Sequence, residues 1–150
     1  METAISIKEC DTWVFALEAH NSVTEFDTWD ENNFKEVLSD ETKPHLILVA
    51  FSEENKPVAY MIAYDRWKDG SFYIWMTGVQ QTYRRHRLFS HMLHQASVWA
   101  KSNGYTSLKL KTRNNRREML GFLVKDGWNF IELTPYPKIE DNRLLAMKNL

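Results

Sequence analysis

The sequence predicts an α/β fold: one domain on a central mixed, mostly antiparallel sheet with helices on both faces. Three observations carry that expectation. Apolar or alternating runs of strand length recur seven times along the chain. Four other stretches carry apolar residues at helical spacing. Hairpin turns join the three central strand-like runs, whereas helices separate later ones. Antiparallel strands are thus followed by strand–helix–strand crossovers, which give a mixed sheet covered on both sides.

The elements follow in the order β-α-α-β-β-β-α-β-α-β-β. Ala4 to Lys8 alternates as a short strand. Asp11 or Thr12 is placed to cap a helix containing Trp13, Val14, Leu17 and Ala19, which Asn21 and Ser22 break. Thr28 or Asp30 starts a second helix through Phe34, Val37 and Leu38, ending near Ser39. Leu46 to Phe51 is continuously apolar and partly β-branched, as a buried strand is. A turn at Glu53 to Lys56 leads through Pro57 into a strand over Val58 to Tyr64. Lys68-Asp69-Gly70 turns again into Phe72 to Val79.

There the period changes. Leu88, Met92, Ala96 and Trp99 form one stripe of a long helix that Asn103-Gly104 stops. Tyr105 to Lys111 alternates as a strand. Asn114 or Asn115 is placed to cap a helix with Met119, Leu120, Leu123 and Val124, stopped at Asp126-Gly127. Strands over Trp128 to Leu133 and Leu144 to Leu150 close the chain around a Thr134-Pro135-Tyr136-Pro137 loop. The strands flanking the long helix should be parallel neighbours joined by a right-handed crossover.

A chain of 150 residues, 43% apolar and 26% charged, suits one globular domain. No apolar run approaches the roughly 20 residues of a membrane span. Met1 to Glu9 lacks the basic head and apolar stretch of a secretory signal, and Cys10 has no partner for an internal disulfide. Cytoplasm is the expected compartment, with no membrane partner.

Charge is uneven. Residues 1–54 hold thirteen acids against three lysines, and the rest holds sixteen bases against seven acids, which leaves the net charge at −1. Six of the eight arginines fall in two clusters, Arg84-Arg85-His86-Arg87 and Arg113-Asn114-Asn115-Arg116-Arg117. Both clusters stand at expected helix N-termini, where the macrodipole disfavours cations by ~0.3–1 kcal/mol each. An anionic ligand reverses that sign, because free N–H groups, dipole and guanidinium groups then all point at phosphate. The basic residues spread over several elements without a reader motif, so nucleic acid is not the expected partner.

The stretch Val79-Gln80-Gln81-Thr82-Tyr83-Arg84-Arg85-His86-Arg87-Leu88-Phe89 resembles the coenzyme-binding motif of the GNAT superfamily of N-acetyltransferases. In that motif a strand ending in Val leads through a Tyr-Arg step and a Gly-rich turn into the long helix. Phe122-Leu123-Val124-Lys125-Asp126-Gly127-Trp128 is similar to the family's second motif, and Ala146-Met147-Lys148-Asn149-Leu150 to its closing strand. The element order is also the family's.

The resemblance implies a GNAT-like acyltransferase that moves an acetyl group from acetyl-CoA, its co-substrate, to a primary amine of a small molecule or protein. It places the coenzyme pyrophosphate at Arg84, Arg85, His86, Arg87, Leu88, Phe89 and Ser90. It lays the pantetheine along Thr77, Gly78 and Val79, with Gly78 marking a bulge that splays the edge and the Val79 N–H acting as oxyanion donor. It adds Asn115 from the next helix. Three positions depart from the pattern. Arg87 stands where Gly is preferred, Phe89 where Gly or Ala is, and Leu123 where many members carry the Tyr that protonates the leaving thiolate. These departures leave a second reading, a catalytically degenerate GNAT-fold sensor or interaction module that binds CoA.

On the acceptor side, family analogy points to the first two helices. They carry Glu18, Glu25, Asp27, Asp30 and Glu31 beside Trp13 and Trp29, a setting suited to a cationic amine. Glu25 and Trp29 are the substrate candidates. The strand around Trp75 and Met76 carries no carboxylate to act as base, which leaves Asp65 and Tyr136 as catalytic candidates. His91 and His94 share a helix face, but no third ligand completes a metal site. Either a monomer or a homodimer fits.

Overall fold

The computed structural model describes residues 4–150, apart from the side chain of Arg85. Its strands are β1 (Ser6–Glu9), β2 (His45–Phe51), β3 (Pro57–Tyr64), β4 (Ser71–Val79), β5 (Ser107–Arg113), β6 (Asn129–Thr134) and β7 (Arg143–Asn149). Its helices are α1 (Val14–Asn21), α2 (Glu31–Leu38), α3 (Leu88–Ser102) and α4 (Arg117–Lys125), with short 3₁₀ helices at Gln81–His86 and Ile139–Asp141. The order of strands and helices is the one the sequence predicts.

The strands form one sheet in the order β1-β2-β3-β4-β5-β7-β6. Every neighbouring pair is antiparallel except β4 and β5, which α3 joins in parallel. Helices cover both faces, and each face has its own core. Leu88, Met92, Ala96 and Ala100 of α3 and Leu123 of α4 pack on Leu48, Met61, Phe72 and Leu108. On the other face, Ala16 and Ala19 of α1 and Phe34 and Leu38 of α2 cover Ile47, Val49, Tyr60 and Ile62. Both sides of β2 and β3 are thus buried, which is why they read as continuous apolar runs rather than as alternation.

Three local expectations are corrected and one is met. Neither Asp11 nor Thr12 caps α1, which starts after Trp13 without a side-chain cap. Asp30 does cap α2: its carboxylate accepts the Asn32 N–H and the Asn33 side chain returns the favour. Neither Asn114 nor Asn115 caps α4, whose N-cap position falls on Arg116 with no side-chain cap; their N–H groups donate to the carbonyls of Asn142 and Glu140 at 2.8 and 2.9 Å. They pin the β6–β7 loop, and α4 begins after Arg116. Finally, Arg84 does not open the long helix. It sits in the 3₁₀ segment, and Arg87 turns the chain into α3 with φ 54°.

Candidate active site

The parallel pairing of β4 with β5 covers only Ser71 to Ile74. Trp75 is then skipped in the register with β3, Ile74 pairing with Ala63 and Met76 with Ile62. From this bulge onward β4 bends away from β5, which stays paired with β7 as far as Arg113. The sheet therefore opens into a gap whose one wall is the edge of β4 from Trp75 to Val79. The Gln80 N–H donates to the Val58 carbonyl on the β3 side. Alternation along the strand turns the N–H groups of Val79 and Thr77 to the other side, into the gap.

The bulge belongs to Trp75, not to Gly78 as expected from the sequence. Gly78 stays in register opposite Tyr60. Its missing side chain answers a different need: a Cβ there would lie 2.6 Å from the Phe26 ring and 3.0 Å from that of Tyr60.

A cavity of about 610 Å³ occupies the gap on the α3 side, lined by Thr77, Gly78, Val79, Arg84, Arg87, Leu88, Phe89, Ser90 and Asn115. The first bond of α3 runs from the His91 N–H to the Arg87 carbonyl, which puts the N–H groups of Leu88, Phe89 and Ser90 ahead of the helical ladder. No acid stands in that first turn. A hollow of about 670 Å³ prolongs the cavity between α3 and α4, past Arg87 and Ser90 to His91, His94 and Lys125. Together they make an elongated groove that runs from a free strand edge to a helix N-terminus with cations around it. It suits a long ligand with an anionic end.

A second cavity, about 630 Å³, lies on the other face, with His20, Trp29, Trp75, Lys111, Arg113 and Arg143 in its wall. The two cavities share Glu25, Phe26, Thr77, Arg116 and Met119, so they meet at the gap. At this junction the Arg84 guanidinium ties two elements together. Its Nε donates to the Val79 carbonyl at 3.1 Å and its terminal nitrogen pairs with the Glu25 carboxylate. The Arg84 hydrogen bond holds the Glu25 carboxyl below the usual carboxylate range.

The sequence model of the Acetyltransferase (GNAT) family matches residues 11–128. The chain belongs to that family. No curated protein matches it in sequence. Solved structures match it closely in fold. The ribosomal-protein-S18-alanine N-acetyltransferase of Escherichia coli is 16% identical with a TM-score of 0.76, over 97% of this chain and 94% of that one. The Ard1 protein of Thermoplasma volcanium is 13% identical with a TM-score of 0.77, over 98% of each chain. A Bacillus anthracis structure, assigned as a streptothricin acetyltransferase and solved in complex with acetyl coenzyme A, is 19% identical with a TM-score of 0.63, over 71% of this chain and 62% of that one.

The geometry explains where this GNAT chain departs from the family pattern. The position that prefers Gly is left-handed here, at φ 54° and ψ 32°, and Arg87 holds it against the αL cost of ~1 kcal/mol for a side chain. Phe89 is half-buried, and its ring, edge-on to Phe122 at 5.3 Å, forms part of the wall while its N–H stays free at the helix start. Leu123 is wholly buried in the core beneath α4, so no acid group replaces the family's Tyr at that position.

The remaining candidates divide. Trp29 is clamped by Asn21, which accepts its N–H at 2.9 Å and donates to its carbonyl at 3.0 Å, and its ring borders the second cavity. Tyr136 is outside that cavity's lining but packs on two residues of it, its ring 5.2 and 5.7 Å from the guanidinium groups of Arg113 and Arg143. His86 is exposed beside the Tyr83 ring and lies outside both linings. The Arg85 side chain lies outside the described residues. Asp65 is remote. Val79 faces Ala59 on β3, and Asp65 follows β3 six residues further on, roughly 20 Å at strand rise. It accepts the Tyr105 hydroxyl at 3.0 Å and the Lys68 N–H at 2.9 Å. Burial, with Asp65 adding to it, pushes the Tyr105 hydroxyl up to about 12.

Two features of the second cavity escape a reading of the sequence. One is His20, buried within a cage of Phe26, Trp29, Phe34 and Tyr60 rings. Its Nε2 donates to the Asp27 carbonyl at 3.0 Å, so its Nδ1 must accept the Tyr60 hydroxyl at 2.6 Å. Burial pushes its pKa down and keeps it neutral. The other is the sign of the wall. Only Glu25 and Asp27 of the acidic helical residues reach the cavity, against Lys111, Arg113, Arg116 and Arg143.

Proposed function

We propose that the chain is an N-acetyltransferase that moves the acetyl group of acetyl-CoA to a primary amine. One observation carries this reading. The unpaired edge of β4 at Thr77–Val79 runs directly into a groove that ends on the free N–H groups of α3, with Arg84 and Arg87 beside them. Few ligands need both a strand edge and a phosphate cradle. A pantetheine chain with its pyrophosphate does, and a relative of the same fold has been solved with acetyl coenzyme A. The compartment that goes with this reading is the cytoplasm.

The residues then divide the work. Thr77 and Val79 offer backbone hydrogen bonds to the pantetheine amides. The Val79 N–H stabilises the charge that builds on the thioester oxygen as the amine attacks. Leu88, Phe89 and Ser90 N–H groups, with Arg84 and Arg87, hold the pyrophosphate. Asn115 closes the groove from the start of α4, and the amine enters through the second cavity past Trp29. Its nitrogen forms a bond to the acyl carbon while the carbon–sulfur bond breaks. Glu25, at the junction of the two cavities, takes the amine proton through water. Arg116, common to both linings at the N-terminus of α4, steadies the departing thiolate by charge in place of a proton donor at Leu123.

The test is turnover. Cell extract incubated with the protein and isotopically labelled acetyl-CoA should yield labelled acetyl-amines that mass spectrometry identifies. A complete lack of labelled product contradicts the enzyme reading. Leu123 favours one alternative, a CoA-binding module without chemistry, for which binding persists while the labelled product is missing.

A further inference from the structure

The acceptor side of the gap is basic, and among the described residues no carboxylate forms an ion pair with the cations there. Lys111 and Arg113 of β5 share the sheet face of the second cavity, and Arg143 of β7 is the cross-strand partner of Arg113. Like charges directly opposite one another weaken a strand pair. Arg66 adds a further cation over the Tyr73 ring at 5.2 Å. Among the described residues, the carboxylate ion pairs are Arg84–Glu25, Lys109–Asp69 and Lys148–Asp126, so none of these four cations is neutralised that way. Burial, then Arg66 and Arg143, push the Lys111 ammonium down, against a smaller opposing pull from Glu132. Arg113 spends one N–H on the Asp141 carbonyl at 3.0 Å, which fixes the guanidinium against Tyr136.

A sequence shaped for stability alone gains nothing from gathering these charges on a half-buried face. An acidic wall, the expectation for a plain cationic amine, is not what β5 and β7 present. A bound oxyanion relieves the repulsion and matches the forked donors of Arg143 and Arg113.

We infer that the acceptor is a primary amine carrying an oxyanion, a carboxylate or phosphate on the same molecule, which Lys111, Arg113 and Arg143 hold while the amine faces Val79. The inference rests on the acetyltransferase reading for its chemistry but on the cavity wall for its specificity. Trp29 and Trp75 cover the apolar body between the two ends, and the oxyanion draws the amine in by charge steering.

Matched pairs test it. An amino acid is offered against its amide, an amino-alkyl phosphate against its amino alcohol, and a peptide with Asp second against the Asn form. The three arms tell a free carboxylate, a phosphate and an acidic chain end apart. In at least one arm the charged member is expected to have kcat/KM about tenfold or more above its neutral twin. Arg143→Gln and Lys111→Met should each shrink that ratio while leaving acetyl-CoA affinity alone. Equal or better turnover of the neutral member in every arm overturns the inference. If no amine is acetylated, calorimetry on the CoA-loaded protein decides. Tighter binding of a charged member upholds the inference while the enzyme reading fails, and equal or undetectable binding of both members in all arms overturns it.

Discussion

The Tyr60 hydroxyl donates to Nδ1 of His20 at 2.6 Å, a contact between residues forty positions apart that locks α1 onto β3 beside the gap. Both groups are buried, and the other imidazole nitrogen is held by the Asp27 carbonyl. Tyr60→Phe leaves Nδ1 without a partner and should cost about 1–3 kcal/mol of stability. Chemical denaturation at neutral pH measures it, and an unchanged midpoint contradicts the pairing.

The same histidine sets a pH dependence. Its pKa in the folded chain is lowered from the usual 6.5, with burial the main cause. The unfolded chain therefore takes up a proton that the folded chain refuses, and stability falls as pH drops below 6.5. Urea midpoints taken between about pH 7.5 and about pH 5.5 should fall more for the wild type than for His20→Gln. Parallel slopes contradict the assignment of a neutral, buried His20.

Gly78 is required by Phe26. In Gly78→Ala the new methyl meets the Phe26 ring at 2.6 Å, and the overpacking should cost about 1–3 kcal/mol. Phe26→Leu in the same chain should return part of that loss. Thermal melts of the two variants and their combination measure the coupling, and additive losses contradict direct contact.

Arg87 has two opposing effects. Its left-handed backbone disfavours any side chain, so Arg87→Gly should hold or raise stability by up to about 1 kcal/mol. The lost guanidinium should weaken acetyl-CoA binding about tenfold. A variant that gains stability without losing affinity contradicts the phosphate role.

Glu25 stands at the junction of the two cavities with its carboxyl held down by Arg84. With that carboxyl shifted down, the acid side of the rate profile should follow the amine's own titration, the rate rising with pH as the amine loses its proton. Glu25→Gln should lower kcat about a hundredfold with acetyl-CoA affinity kept. A kcat within a few fold of wild type removes Glu25 from the proton path.

How legible all this is in the sequence depends on range. Leu88, Met92 and Ala96 mark α3 by period alone, and the hairpin turns order β2, β3 and β4, because these signals are local. The Arg84–Arg87 cluster reads as an anion site because the charge and the expected helix start are adjacent in the chain. Gly78 misleads, since a strand glycine marks a bulge or a close approach equally well, and only Phe26 in place decides which. Asn114 and Asn115 look like caps, but the chain there is held to the β6–β7 loop and α4 starts only after Arg116. His20 carries no motif, and its partner lies across the fold. The basic wall of the second cavity is the clearest nonlocal feature: Lys111, Arg113 and Arg143 converge only through the β5–β7 register.

Acetyl-CoA bound in the gap between β4 and β5 is what every role assigned above depends on. Calorimetric titration of the protein with acetyl-CoA should show one site per chain with a Kd between about 1 μM and 1 mM. Binding should weaken clearly in Arg87→Gly, which leaves the fold intact. No heat at millimolar acetyl-CoA from a folded protein contradicts such binding.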